Sequence, residues 1–163
     1  MSTREYVAKG VVVRWSGLFD LEEVYKKSKE WFDTRVMNFK EEKYVEKIKG
    51  NSKQLEIKWK ATKKVSDYYR QVFEIGILII GLTKVEVEKE GRKLYLEKGD
   101  IEFQFDVYLV KNANDRFEDG SFYKKVYEKI YKKRINDYLI DLYNSAYGLI
   151  DEVKKLMEIH ANT

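Results

Sequence analysis

The chain has 163 residues and a mass of 19.5 kDa, with 37% charged and 44% hydrophobic residues. This length suits about one domain, and the hydrophobic share is too high for a disordered chain. The absence of cysteine and the presence of one histidine exclude a disulfide scaffold, thiolate chemistry and a histidine-rich metal site. We therefore predict a single domain over residues 1–163, with no catalytic residue, no metal site and no cofactor.

The charges are nearly balanced, with 32 lysines and arginines against 28 acidic residues and a formal net charge of +4. So small an excess argues against a nucleic-acid partner. Abundant Lys and Glu with few Gln are typical of heat-adapted proteins, so we expect a thermophilic source. No signal-peptide pattern opens the chain, and the apolar stretch 75–82 is shorter than the roughly 20 residues of a membrane span. We expect a cytoplasmic protein, and the composition leaves its oligomeric state open.

The chain begins with a predicted strand and a predicted helix. Residues 5–15 are rich in β-branched side chains, and Ser16-Gly17 is predicted to end this strand. Asp20 is the predicted N-cap of one helix within residues 18–34, because apolar residues recur after it at helical spacing.

Six further β-like segments follow the helix. They are separated by short turns, of which 98–100 (Lys-Gly-Asp) is one, and the glycine at position 76 predicts a bulge or a bend. Clean alternation of apolar and polar residues predicts strands with one buried face at 54–65 and 101–110. The six predicted strands are 36–48, 54–65, 68–81, 84–89, 93–97 and 101–110.

The C-terminal part of the chain is predicted to be helical after a loop at 111–120. One apolar stripe at helical spacing runs through residues 134–160. The apolar residues of 121–132 lie on a rotated face, so we predict a short helix there, a kink or break near 132–134, and then a long helix.

This order of elements resembles the START-like or Bet v 1-like helix-grip fold of the SRPBCC superfamily. The resemblance implies an α+β fold, in which a curved antiparallel sheet of about seven strands grips the long C-terminal helix. It also implies a cavity between that sheet and that helix. Aromatic and apolar residues expected on the two walls are the candidate ligand-binding residues: Trp59, Phe73, Phe103, Phe105, Tyr138, Leu142 and Tyr143.

Three functions follow from this interpretation. The first is the binding of a hydrophobic or lipid-like small molecule in the cavity, without catalysis, since apolar pockets hold such ligands. The second is an interaction or structural module whose interior is filled by its own side chains. The third is contact with phosphate or nucleic acid through the basic segment 124–134.

Other chemistry-bearing residues are better explained by structural roles. The segment 86–89 resembles the Glu-x-Glu-x-Lys motif of triphosphate-tunnel enzymes, but its lysine is one position too early to share a face with the glutamates. Glu74 could meet Glu102 or Asp106 across the sheet, and the alternation predicts that all three face solvent. His160 lies on the apolar helix stripe, where we expect a packing role.

Overall fold

Five strands and two helices make up the part of the chain that the structure, a computed structural model, describes, namely residues 3–111 and 122–161. All neighbouring strands are antiparallel, in the order β1-β5-β4-β3-β2. This confirms the α+β class. Most of the predicted loop at 111–120 lies outside the described residues. The elements in chain order are β1 (Thr3–Phe19), α1 (Leu21–Thr34), β2 (Asn38–Lys49), β3 (Ser52–Lys64), β4 (Tyr69–Lys89), β5 (Arg92–Lys111) and α2 (Phe122–Glu158).

The sheet has five strands rather than about seven, because two predicted strand breaks are continuous strand. Gly81 has a φ of +68°, and the register between β4 and β5 shifts between Ile80 and Thr83, so the chain bulges there without leaving the sheet. On the opposite strand, Gly99 lies inside β5 and not in a turn. A Cβ atom on Gly99 would lie 3.0 Å from the carbonyl oxygen of Ile80, so this glycine permits a close backbone approach.

The bulge or bend predicted at Gly76 is also wrong. Gly76 pairs regularly with Lys58 on one side and Gln104 on the other. Its missing side chain leaves open space on the outer face of the sheet, where a Cβ atom would meet nothing within 4 Å.

The start of α1 is as predicted, although β1 is longer than expected. Gly17 adopts a φ of +131° and does not end β1, which continues to Phe19. The Asp20 side chain then accepts a hydrogen bond of 3.2 Å from the backbone N–H of Glu23, which caps the helix. The helix ends at Thr34.

The hydrophobic core lies between the inner face of the sheet and the two helices. The alternation predictions for β3 and β5 are confirmed, because the apolar residues of both strands are buried on this face. The buried residues are Leu55, Ile57, Trp59 and Ala61 of β3, and Ile101, Phe103, Phe105, Val107 and Leu109 of β5. α2 covers them with Leu142, Ala146, Leu149, Ile150, Val153, Leu156 and Met157, and α1 adds Val24 and Phe32.

The two predicted C-terminal helices are one helix, so the break expected near 132–134 is absent. Phe122 and Val126, two of the residues on which the predicted change of phase depends, are exposed. Exposed residues need not share the helix face of the apolar stripe, whose first fully buried residue among those described is Leu142.

A five-stranded antiparallel sheet with a long C-terminal helix across one face is compatible with a helix-grip fold. Within the described residues, neither helix carries an apolar stretch long enough to cross a membrane.

Candidate ligand-binding groove

A groove of about 530 Å³ opens at the end of the sheet beside the first turn of α1. It lies between the start of α1, the β2–β3 hairpin, and the parts of β4 and β5 next to the Gly81 bulge. The lining residues come from α1, from all the strands except β1, and from the β2–β3 turn. They are Leu21, Glu22, Tyr25, Tyr44, Glu46, Asn51, Lys53, Leu55, Leu82, Thr83, Lys84 and Glu97.

The apolar part of the groove is made by leucines and tyrosines. Leu55 and Leu82 are buried and continue the hydrophobic core, while Leu21 is half-buried at the start of α1. Tyr25 and Tyr44 add two rings, each with an apolar body and a polar tip. The groove therefore offers an apolar surface to a ligand.

The charged side chains of the groove are partly engaged with each other and with the backbone. Lys53 pairs with Glu46 at 2.8 Å, and this hydrogen-bonded carboxylate raises the pKa of the Lys53 ammonium. Glu97 accepts a hydrogen bond of 3.1 Å from the backbone N–H of Leu21, which ties β5 to the start of α1. Lys84 forms no ion pair within the described residues, so its ammonium is available to a ligand.

One wall of the groove is held by a glutamate on β2. The Tyr25 hydroxyl donates to Glu41 Oε1 at 2.6 Å, and the buried Trp59 indole N–H donates to the same oxygen at 3.2 Å. The register of β2 shifts between Glu41 and Lys43, and Glu41 lies opposite Trp59 in the ladder. Burial, followed by the hydrogen bond to Glu41, raises the pKa of Tyr25 well above its usual value, so the hydroxyl stays a neutral donor.

The structure brings five of the seven predicted cavity residues together in the core. Each of these five side chains is at most 1% exposed, and the Phe103 and Phe105 rings stack with centroids 6.2 Å apart. Phe73 packs edge-on against the rings of Trp31 and Phe32 of α1 at 5.5 Å. The five buried residues are Trp59, Phe73, Phe103, Phe105 and Leu142.

The other two predicted cavity residues lie at the margin of this core. Tyr138 is half-buried, with its ring 5.5 Å from that of Tyr69. Tyr143 is half-exposed, packs on Tyr147 at 4.7 Å and lines a shallow depression between β1 and α2. None of the seven lines the groove beside α1. Ligand binding between the sheet and α2 stays a prediction.

The sequence pattern does not indicate the groove residues, because it predicts a strand that ends at Gly81. Leu82 and Thr83 then fall in a predicted connection between strands, and no pattern predicts that this connection meets the start of α1. The apolar character of Leu21 and Leu82 was visible in the sequence. Nothing local indicated that residues so far apart in the chain line one groove.

The carboxylates on the outer face of the sheet are engaged in hydrogen bonds and ion pairs. Glu74 lies opposite Asp106 in the ladder, and it accepts a hydrogen bond of 3.2 Å from the Tyr108 hydroxyl. Asp106 accepts one of 2.7 Å from the N–H of Gly10. Glu102 pairs with Arg14 of β1 at 2.9 Å. All three lie on the side of the sheet away from the core, as predicted.

The remaining candidate residues are a glutamate of the β4–β5 hairpin, the histidine and the basic segment. Glu86, from the segment resembling the triphosphate-tunnel motif, pairs with Lys93 across the β4–β5 hairpin at 3.3 Å. His160 lies in the turn after α2, with both ring nitrogens enclosed and without a hydrogen-bond partner among the described residues. Of the basic segment 124–134, the described side chains of Lys125, Lys129 and Arg134 are exposed.

Among the described residues, no three histidine, cysteine or acidic side chains are grouped so as to hold a metal ion. The chain matches no protein-family model, and none of the curated proteins is significantly similar to it in sequence. The functional interpretation therefore depends on the geometry alone.

Proposed function

We propose that this protein binds a hydrophobic or lipid-like small molecule, without catalysis, in the groove beside α1. The observation that carries the proposal is a concave site of about 530 Å³ whose leucine surface is continuous with the core. This volume lies within the range of about 300–1,000 Å³ typical of small-molecule sites. The order of elements, which resembles the START-like fold, supports a ligand-binding role, and the proposal places the ligand beside α1 rather than between the sheet and α2.

The groove is a better location for the ligand than the space between the sheet and α2. The aromatic side chains expected to line that interior pack against each other and leave their faces covered. In the groove, by contrast, Leu21, Tyr25 and Tyr44 face a space that a ligand can enter. A ligand there would bury apolar surface that the fold leaves open, which is the dominant favourable contribution to such binding.

The charges around the groove support a ligand with a polar end. Glu46 and Lys53 neutralise each other, whereas Glu97, held by the backbone of α1, lies opposite Lys84 in the ladder, and Glu22 adds an exposed carboxylate. Lys84 remains as a cation for a carboxylate, sulfonate or phosphate head group. The proposed ligand therefore has an apolar body that lies on the leucines and a head group near Lys84.

Fluorescent probes test the proposal directly. Nile red is a neutral apolar dye and anilinonaphthalenesulfonate is an anionic one, and we expect each to bind the folded protein at about one equivalent. Thr83→Trp places a large ring in the groove and should weaken both dyes by about tenfold or more. Thr62→Trp makes the same change on the outer face of β3 and serves as the matched control.

Two further variants separate the parts of the proposal. Lys84→Gln should weaken the anionic dye several-fold and leave Nile red unchanged, because only the former uses the ammonium. Phe105→Trp should leave binding by the intact fold unchanged, because Phe105 does not line the groove. Loss of dye binding in Phe105→Trp, with Thr83→Trp unaffected, would contradict the groove and favour the interior cavity.

The second candidate is an interaction module with a filled interior, and the close packing of Trp59, Phe73, Phe103 and Phe105 favours it. Absence of dye and fatty-acid binding with the fold intact would make this candidate the leading one. Phosphate or nucleic-acid contact through the basic segment 124–134 is the third candidate, supported by the exposed Lys125, Lys129 and Arg134.

A further inference from the structure

The positive charge of the chain is concentrated in the β2–β3 hairpin. Residues 38–64 contain nine lysines and four glutamates, an excess larger than the formal +4 of the whole chain. The rest of the chain is therefore close to neutral or slightly acidic. Such a local excess attracts acidic partners to one edge of the molecule.

β2 is also a terminal strand of the sheet. It pairs with β3 on one side and, within the described residues, with no strand on the other. Its twelve residues are almost all exposed, so a row of backbone N–H and C=O groups is open to another strand. An extended peptide can add to such an edge through main-chain hydrogen bonds.

The two faces of this edge differ in chemistry over residues 43–49. Tyr44 and Ile48, which are 50% and 76% exposed, alternate with Glu46 on the side that β3 continues with Leu55 and Ile57. The other side carries Lys43, Val45, Lys47 and Lys49.

One glutamate partly neutralises these lysines. Glu56 of β3 lies 3.0 Å from Lys43 and 3.8 Å from Lys47, and this pairing lowers the pKa of its carboxyl group. One carboxylate between two ammonium groups leaves an excess positive charge, to which the nearby Lys49 adds.

Lysines on an edge strand commonly prevent aggregation. That role explains Lys43, Lys47 and Lys49, but an edge that only repels partners would not also present the large apolar side chains of Tyr44 and Ile48. A second copy of β2 would bring lysines against lysines, which opposes self-pairing. An acidic strand would instead meet each lysine with an opposite charge.

We infer that the free edge of β2 docks an extended acidic peptide segment of a partner protein by strand addition. The peptide alternates acidic residues, which face Lys43, Lys47 and Lys49, with apolar residues, which face Tyr44 and Ile48. Backbone hydrogen bonds hold the strand, and the alternating side chains set its register. This surface shares Tyr44 with the groove, but Lys47, Ile48 and Lys49 lie outside the groove lining, so variants at these three positions test the peptide surface alone.

A fluorescein-labelled peptide of four Glu-Val repeats tests the inference by anisotropy. A peptide with the same residues in two blocks, four Glu and then four Val, has equal charge without the alternation and should bind at least about tenfold more weakly. Hydrogen exchange supplies the decisive measurement, because strand addition protects backbone amides within residues 43–49. Equal binding of both peptides, or unchanged exchange at 43–49, would overturn the inference.

Variants of the edge give the second arm of the test. Lys47→Glu/Lys49→Glu should weaken the alternating peptide by about tenfold or more, and Ile48→Ser should weaken it several-fold. Lys29→Glu/Lys154→Glu makes the same charge change at exposed helix positions and should leave affinity within about twofold.

Three controls distinguish this inference from the other occupants of the edge and from the dye-binding proposal. If twelve-nucleotide oligothymidine binds at residues 43–49 and the peptide does not, the surface is a nucleic-acid site and the inference is wrong. If sedimentation shows dimers that Ile48→Ser abolishes, the occupant is a second copy and the inference is also wrong. Thr83→Trp should keep full peptide affinity, so failure of dye binding and failure of peptide binding are separate results.

Discussion

The Trp59 indole N–H and the Tyr25 hydroxyl share one acceptor, Oε1 of Glu41, at 3.2 Å and 2.6 Å. The two rings also meet edge to face, with centroids 5.1 Å apart. This contact joins α1, β2 and β3 at the wall of the groove. It explains how a tryptophan in the core keeps its polar atom satisfied.

Replacing that acceptor should destabilise the protein. We expect Glu41→Ala to lower the free energy of unfolding by about 1–3 kcal/mol, because the buried Trp59 N–H loses its partner. Glu41→Gln should recover part of the loss, since its amide oxygen can accept a hydrogen bond. Glu42→Ala changes an exposed neighbour and is the control. Urea unfolding measures all three, and equal midpoints for the Glu41 and Glu42 alanine variants would contradict this account.

The close approach of β5 to the β4 bulge predicts opposite effects for two glycines. Gly99→Ala should destabilise by about 1–3 kcal/mol, because its Cβ would press on the backbone oxygens of Ile80 and Gly81 at 3.0 and 3.3 Å. Gly76→Ala should instead stabilise by about 0.4–1 kcal/mol, because its Cβ enters open space and the unfolded chain loses freedom. Thermal melts compare them, and a stabilising Gly99→Ala would refute the close-approach explanation.

The core prediction concerns Phe103, which is 1% exposed. Phe103→Ala should cost about 3–5 kcal/mol, as for other large-to-small substitutions in well-packed interiors. Tyr95→Ala removes a ring that is largely exposed on the same strand and should have a much smaller effect. Chemical denaturation gives both values. A melting temperature within a degree or two of the unsubstituted protein would show that Phe103 is not part of the core.

Tyr108 predicts a loss of stability at alkaline pH. Burial, followed by the nearby Glu74 carboxylate, raises its pKa to about 12 from the ordinary 10.0. Between these values the folded protein keeps a proton that the unfolded chain releases. The contribution of Tyr108 is therefore fully present below pH 10 and is lost as the pH rises toward about 12.

Substitution of Tyr108 should flatten this pH dependence. Tyr108→Phe removes the titrating group, so the free energy of unfolding of this variant should fall less steeply with rising pH. The variant also loses the hydrogen bond to Glu74. The exposed Tyr95→Phe is the control. Urea titrations across the range from about pH 9 to pH 11 provide the measurement, and parallel curves for Tyr108→Phe and the unsubstituted protein would contradict the assignment.

Features that depend on local periodicity could be predicted from the amino-acid sequence alone. Alternation in β3 and β5 identified which face of each strand is buried, because neighbouring side chains point to opposite faces of a sheet. The carboxylate of Asp20 followed by Glu22 and Glu23 identified the start of α1, because a cap acts within one helical turn. The apolar stripe through residues 134–160 likewise predicted the face of α2 that covers the sheet.

The ends of the strands and the position of the groove depend on contacts between distant segments, which local patterns do not reveal. Gly81 and Gly99 look like strand breakers in sequence, yet the two strands hold each other in the sheet across the bulge, a contact between residues far apart in the chain. In the same way, the groove depends on the contact between Leu21 and Glu97. The hydrogen bond of the Trp59 N–H depends on the register shift in β2 that places Glu41 opposite Trp59. Local patterns report which face of an element is apolar. The partner that covers that face, and the space left uncovered, are set by packing between distant segments.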